Sequence, residues 1–194
     1  MKKVFAFDFD GTLTTRDTLI DFIRFARGNV GFLVGFLLYS PLLVLMKLHL
    51  YSNDKSKQKV FSYFFRGMQL DEFNGLCRRY AHERRHILRA STLQILREAL
   101  QEGADVYVVS ASVDSWVAPF LAEENLEVTV LGTQIEVKDG RLTGLFSSRN
   151  CYGAEKVERL KAVLPAREGF HLTAYGDSWG DRELLAWADE GHLV

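Results

Sequence analysis

Two aspartates one residue apart, Asp8 and Asp10, follow the apolar run Val4–Phe7 and precede Gly11 and Thr12. Side chains alternate along a strand, so this spacing starts both carboxylates on one side, with Phe9 opposite. Two carboxylates this close do not both ionise cheaply unless a cation joins them, so the pair points to a divalent metal. A plainer role, capping the next helix and facing solvent, suits a lone aspartate better than an Asp-x-Asp-Gly-Thr series after a strand. A second acidic pair, Asp177 and Asp181, spans the turn Gly176-Asp177-Ser178-Trp179-Gly180-Asp181. Ser110 ends another apolar run and offers a hydroxyl and an amide to a phosphate oxygen, although serine there is commonly just a cap. Lys156 falls in the first turn of an expected helix. The helix dipole disfavours a cation there, so the lysine calls for an anionic partner unless it simply faces solvent.

These residues belong to elements that the sequence also announces. Val4 to Phe9 reads as a buried parallel strand. From 14 to 86 the pattern is helical: Asp17 caps a helix to Arg27, an uncharged run follows that Pro41 kinks or divides, and helices over 52–65 and 71–85 are separated by Arg66-Gly67. From 87 onward strands and helices alternate. A helix over 87–102 stops at Gly103, a strand covers 104–109 and ends in Ser110, a helix covers 114–125, and a strand 128–131. Then 134–137 and 141–146 flank Lys138-Asp139-Gly140, a hairpin signal. A helix over 153–163 closed by Pro165, a strand over 171–175 and a helix over 181–188 complete the pattern. The alternation implies an α/β fold with a Rossmann-like parallel sheet, and open sheets of this kind bind ligands beyond the carboxyl ends of their strands. The expected organisation is a catalytic core from 1–13 and 87–194, with 14–86 as an inserted all-helical cap. Gly191-His192-Leu193-Val194 reads as the middle of a closing strand, with room for the natural chain to continue. Trp179 and the phenylalanines read as core or pocket lining.

Composition narrows the classes further. A chain of 194 residues with 47% hydrophobic and 25% charged residues is ordinary globular protein, able to bury a core without a staple. A net charge of −1 argues against nucleic acid as a partner. Cys77 and Cys151 have no metal spacing and read as reduced, structural thiols of a cytoplasmic protein. The N-terminus fails as a signal peptide, because only four apolar residues follow Lys2-Lys3 before Asp8. Gly28 to Met46 carries no charge over nineteen residues, bracketed by Arg27 and Lys47, at the lower limit of a bilayer span.

Taken together, Asp8-Phe9-Asp10-Gly11-Thr12, Ser110, Lys156 and Gly176-Asp177-Ser178-Trp179-Gly180-Asp181 resemble the four motifs of the haloacid dehalogenase superfamily, in order and along the whole chain. The helical insert after the first motif resembles the phosphoserine phosphatase-like branch, and 141–156 looks like its subgroup IB. The resemblance implies a phosphate monoester hydrolase using Mg2+. In it Asp8 forms an aspartyl phosphate and Asp10 serves as acid and base. Asp8, the Asp10 backbone carbonyl and Asp177 hold the metal. Gly11, Thr12, Ser110, Ala111 and Lys156 bind phosphate, and Asp181 positions Lys156 and the metal waters. Dehalogenation does not need an acid at Asp10, and a phosphomutase or a non-catalytic membrane-associated module on the same fold are the other classes.

Departures from phosphoserine phosphatases bear on the substrate. Asp17 stands where they carry a glutamate that meets the substrate amine, Ser110-Ala111-Ser112 replaces a serine with two glycines, and Gly180 replaces an asparagine. The substrate is expected to be a small phosphometabolite such as phosphoserine or a lipid headgroup phosphate, selected by cap positions Asp17, Arg24 and Arg66. The greasy cap run resembles that of the phosphatidylglycerophosphatase C type. Peripheral membrane contact through 30–46 and a basic face of Arg78, His82, Arg85 and Arg89 is the corresponding expectation, against a kinked helix pair packed inside the cap.

Overall fold

Along strand β1 (Lys2–Phe7), Val4 and Ala6 enter one apolar cluster while Phe5 and Phe7 enter another. A strand buried on both faces in this way needs helices on both sides of its sheet. The computed structural model describes residues 1–47, 52–164 and 166–194. Its central sheet has five parallel strands in the order β3-β2-β1-β6-β7, formed by β1, β2 (Asp105–Val113), β3 (Thr129–Thr133), β6 (Phe170–Gly176) and β7 (Glu190–Leu193). Helices α4 (Ala90–Gln101), α5 (Asp114–Glu123), α6 (Ala154–Val163) and α7 (Arg182–Trp187) connect the strands. An α/β parallel sheet is thus the observed class. The sheet order places β1 centrally, between β2 and β6, so the loops after these three strands converge.

Helices α1 (Thr18–Lys47), α2 (Asn53–Phe65) and α3 (Leu70–Arg84) lie between β1 and α4. Phe22 joins them to the core, with its ring 5.4 Å from Phe65, 5.1 Å from Tyr80 and 5.0 Å from Trp116 of α5. The antiparallel hairpin of β4 (Ile135–Lys138) and β5 (Arg141–Phe146) is fastened to the turn between α2 and α3. Gly67 N donates to Leu142 O (2.8 Å), Leu142 N to Met68 O (3.0 Å) and Leu70 N to Gly140 O (2.9 Å).

Several elements differ from their sequence reading. The break in α1 falls at Gly28 (φ +68°), not at Pro41. Helix continues past the proline because Ser40 Oγ donates to Leu37 O (3.0 Å), the carbonyl that the missing proline N–H leaves without its helical donor. Strand β2 runs on to Val113, so Ser110 sits within an irregular stretch of strand and not where α5 begins. Helix α4 starts at Ala90, because a 3-10 turn over Arg85–Ile87 intervenes. That turn also breaks the helical spacing assumed for the basic face. On that face His82 meets Glu123 (3.1 Å) and Arg85 pairs with Glu124 while both stay exposed, Arg89 binds a backbone carbonyl, and Arg78 is exposed. Trp179 is 72% exposed, with the Arg182 guanidinium 4.7 Å over its ring, and is not a core residue. Pro165, expected to close α6, lies outside the described residues.

Candidate active site

After Phe7 the chain leaves β1 and makes one wide helical turn over Phe9–Leu13, closed by Thr14 N donating to Phe9 O (2.9 Å). Gly11, at φ +79°, provides the left-handed step that this turn requires. The start of α4 holds the turn from outside: Arg89 Nη2 donates to Gly11 O (2.7 Å) and Thr92 Oγ1 to Thr12 O (2.7 Å). The backbone that follows Asp8 is therefore fixed by elements far away in sequence.

Asp8 lies on the face of β1 that Val4 and Ala6 share with Val157 and Leu160 of α6, and Lys156 comes from that helix. Lys156 Nζ is 2.5 Å from Asp8 Oδ1 and 2.5 Å from Asp181 Oδ1, and all three side chains are buried. The anionic partner expected for this lysine is thus a pair of carboxylates. Asp181 accepts three further donors on Oδ2, from Asp177 N (3.3 Å), Ser178 N (3.1 Å) and Ser178 Oγ (2.9 Å). Both of its oxygens are committed to holding Lys156 and the turn after β6. Thr12 Oγ1 lies 3.3 Å from Asp8 Oδ2. Ser110 is fully buried beside the site, its hydroxyl accepting from Ser112 N (3.0 Å), and the Ala111 carbonyl accepts from Thr133 Oγ1 (2.9 Å).

Asp10 diverges from Asp8. Its carboxylate turns toward α1 and the end of β2, where Thr18 N (2.7 Å), Thr18 Oγ1 (2.5 Å) and Ser112 Oγ (2.5 Å) donate to it. The reason is local: the strand ends at Phe7, so the alternation that would keep both carboxylates on one side stops before Asp10. Sequence reasoning missed Thr18 and Trp116, and treated Ser112 only as a departure from a glycine. Polar groups in the first turn of a helix carry no signal by themselves. Asp17 adjoins Thr18 and caps α1, accepting from Leu19 N (3.0 Å) and Ile20 N (3.3 Å). Arg24 lies farther along α1 and donates to Asn29 Oδ1 (2.6 Å). Arg66 is exposed at the C-terminal end of α2. The other end of that helix approaches the loop before α6, through Asp54 and Asn150 (3.0 Å). Arg66 is therefore roughly 18 Å along the helix from that contact.

Four acids and one lysine leave the site with excess negative charge. Burial pushes the Asp8 carboxyl up to about 7 against the pull of Lys156, with Asp181 and Asp10 adding to the rise. Burial and the Asp17 charge raise Asp10, while the hydroxyls of Ser112 and Thr18 pull it back. Burial and Asp181 raise Asp177. Burial alone would lower Lys156, but Asp8 and Asp181 outweigh it and hold the ammonium charged. Asp8, Asp177 and Asp181 bring carboxylate oxygens within 4.8 Å of one another, and Asp177 is exposed on the open side. An all-oxygen set with surplus negative charge fits a hard divalent cation. Asp181 is already saturated with donors, so Asp8 and Asp177 are the carboxylates free to bind one.

Similarity to known proteins agrees with this architecture. Protein CicA of Caulobacter vibrioides is 33% identical over 190 residues, 95% of this chain and 82% of that protein. A solved protein of unknown function from Bordetella pertussis Tohama I matches with a TM-score of 0.84 at 20% identity, over 96% of this chain and 87% of that one. A phosphoserine phosphatase, described as a phospho-aspartyl intermediate analogue, matches with a TM-score of 0.67 at 22% identity, over 96% and 83% of the two chains. The solved structures share the fold. The sequence model of one family, haloacid dehalogenase-like hydrolase, matches residues 5–186, from the middle of β1 into α7. By that match, which takes in every motif described above, the chain belongs to the haloacid dehalogenase-like hydrolases.

Proposed function

We propose that the protein is a magnesium-dependent phosphomonoester hydrolase that works through an aspartyl phosphate on Asp8. The observation that carries this reading is the buried bridge from Lys156 to both Asp8 and Asp181, beside the open carboxylate of Asp177. An Asp8 oxygen attacks phosphorus as the bond to the leaving oxygen breaks, and Asp10 gives its proton to that oxygen. Water then attacks phosphorus, its proton passes to Asp10, and the Asp8 oxygen is released. Lys156, Ser110 and the backbone of Gly11, Thr12 and Ala111 hold the phosphate oxygens where charge gathers. Magnesium, held by Asp8, the Asp10 carbonyl and Asp177, would supply the positive charge that lets a carboxylate approach a phosphate. Asp181 acts through Lys156 and the turn it organises.

For the alcohol side, two features favour a lipid phosphate over a small polar one. In α1, Val30 (78%), Leu37 (64%) and Leu38 (62%) are exposed, and its Thr18–Ser40 stretch is long and apolar enough to cross a membrane. A cavity of about 110 Å³ lined by Ile20, Ile23, Phe32, Phe36, Val60 and Phe64 has Asp17 and Lys57 in its wall. Asp17 is chain-adjacent to Thr18, the residue bound to Asp10. The reading puts the enzyme in the cytoplasm against a lipid surface, touching it through 30–46. Phosphate release should be measured across soluble phosphometabolites, phosphoserine included, and lipid headgroup phosphates, with and without anionic vesicles. Lipid phosphates should be turned over fastest, and only with a divalent ion. Preference for phosphoserine would overturn the lipid assignment, and vesicle binding without any turnover would favour a non-catalytic module.

A further inference from the structure

An open cleft of about 580 Å³ lies at the corner where α1 breaks, with Arg16, Arg24 and Arg84 in its walls beside Asp21, Glu83 and Gly28-Asn29. None of these residues holds the phosphate, the metal or the proton in the reaction above. Asp21 is already engaged: Tyr80 Oη donates to it (3.1 Å), and so does Arg16 Nη1 (3.4 Å). Arg84 Nε stands 3.6 Å from the same carboxylate, beyond hydrogen-bonding distance, and among the described residues it is a buried donor with no partner. Arg24 gives its Nε to Asn29 Oδ1 (2.6 Å), which leaves the outer arms of its guanidinium fork free of any carboxylate among the described residues. Arg27, by contrast, is committed to the Phe64 carbonyl. The walls thus carry three positive charges against two negative ones, and much of the donor capacity is unspent.

The same corner begins an apolar stripe. Val30, Leu33, Val34, Leu37 and Leu38 are all exposed, and steps of three and four residues put them on one face of the helix. Gly35, on another side of that helix, is buried, and a Cβ there would stand 2.1 Å from the Phe64 ring. The arm is therefore seated on α2 with its apolar stripe turned to solvent. A helix with an outward apolar face lies in a membrane interface, where it brings its polar neighbours to the level of the headgroups. Guanidinium forks match phosphate oxygens two at a time, and arginines next to an apolar surface helix favour an anionic leaflet. Charge in the cleft and grease on the adjoining stripe thus call for one ligand that carries both a phosphate and acyl chains.

We propose that the cleft of Arg16, Arg24 and Arg84 binds the headgroup phosphate of an anionic phospholipid, while the stripe from Val30 to Leu38 lies in the same lipid surface. The lipid held here is an anchor and not a substrate. The proposal rests on the reading above in placing the protein against a lipid surface, and does not depend on the hydrolysis. Glu83, exposed in the cleft wall, works against the anion and limits how tightly it is held.

The test is co-sedimentation with vesicles of phosphatidylcholine alone and of phosphatidylcholine mixed with phosphatidylglycerol. Arg84→Gln and Arg24→Gln should each weaken binding to the mixed vesicles about fivefold and leave binding to phosphatidylcholine unchanged. Glu83→Gln should strengthen binding to the mixed vesicles, an increase that damage to the fold would not produce. Lys138→Gln removes the same charge from the exposed hairpin and should have little effect. Circular dichroism checks each variant, and Arg24 is exposed, so its replacement leaves the core untouched. An equal loss in Lys138→Gln, or no loss in either arginine variant, would overturn the cleft. Displacement from mixed vesicles by free glycerol phosphate would assign the cleft to a soluble anion and overturn the lipid. Wild-type protein that binds both vesicle types equally overturns the cleft and keeps the surface contact, whereas binding to neither overturns both. Turnover of p-nitrophenyl phosphate reads the hydrolase separately: Arg84→Gln should stay near wild type, and an inactive wild type that still prefers the mixed vesicles would overturn the hydrolase reading alone.

Discussion

Asp177 occupies the space that a side chain at Gly11 would need: a Cβ there would stand 2.0 Å from Asp177 Oδ2. The turn after β1 and the turn after β6 are thus in contact through a missing side chain, and that contact sets where the open carboxylate lies. Gly11→Ala should displace Asp177 and force an alanine into positive φ, at a backbone cost of about 1–2 kcal/mol. Magnesium affinity, read by isothermal titration calorimetry, should fall more steeply than thermal stability. Unchanged affinity would show that Asp177 does not hold the ion.

Asp8 links protonation to stability. Its carboxyl is raised from 3.8 to about 7 in the folded protein, so the folded state binds this proton more tightly than the unfolded one. The associated stability is complete below the unfolded value and is lost as pH rises through about 7. Without divalent ions, the wild-type melting temperature should therefore drop more between pH 5 and pH 8 than that of Asp8→Asn. The same variant should have no measurable turnover, because an amide does not attack phosphorus. Parallel pH curves for the two proteins would contradict the burial argument.

Lys156 holds two buried carboxylates apart. Lys156→Met leaves Asp8 and Asp181 without their cation and should destabilise the protein by about 3–5 kcal/mol, read from urea unfolding. Adding Asp181→Asn should recover part of that stability and none of the activity. A double variant no more stable than the single one would show that the lysine is held by packing and not by charge.

How much of this was legible in the sequence depends on the range of the interaction. Apolar runs such as Val4–Phe7 and 104–109 announce their strands because burial on both faces requires them. The position of a strand end is set by its neighbours. The sequence therefore did not reveal that β2 continues to Val113, nor that the turn after Phe7 sends Asp10 toward Thr18. Proline seemed the natural break in the uncharged run. Whether proline interrupts a helix depends on what serves the freed carbonyl, and here Ser40 does so while Gly28 takes the kink. His82 and Arg85 gave no sign in sequence of their acidic partners, since Glu123 and Glu124 arrive at the end of another helix about 40 residues later. Gly180, a departure from the phosphoserine phosphatase motif, has its cause in space: a Cβ there would lie 2.3 Å from the Tyr152 ring.

The exposed apolar helix should be separable from the chemistry. Replacing Leu33, Leu37 and Leu38 by glutamine should reduce co-sedimentation with anionic vesicles at least about tenfold, since each buried leucine contributes roughly 1.5–3 kcal/mol. Turnover of p-nitrophenyl phosphate in solution should stay near wild type. Unchanged vesicle binding would remove residues 30–46 as the lipid contact.

The central claim is that Asp8 becomes covalently phosphorylated. The most direct measurement is borohydride reduction of protein quenched during turnover, followed by peptide mass spectrometry. With p-nitrophenyl phosphate, whose leaving group departs without the acid, the account predicts homoserine at position 8 and at no other acid, in greater amount in Asp10→Asn, where water attacks without a base to take its proton. Phosphate release with no modified Asp8, or with the mark on Asp177 or Asp181, would contradict it.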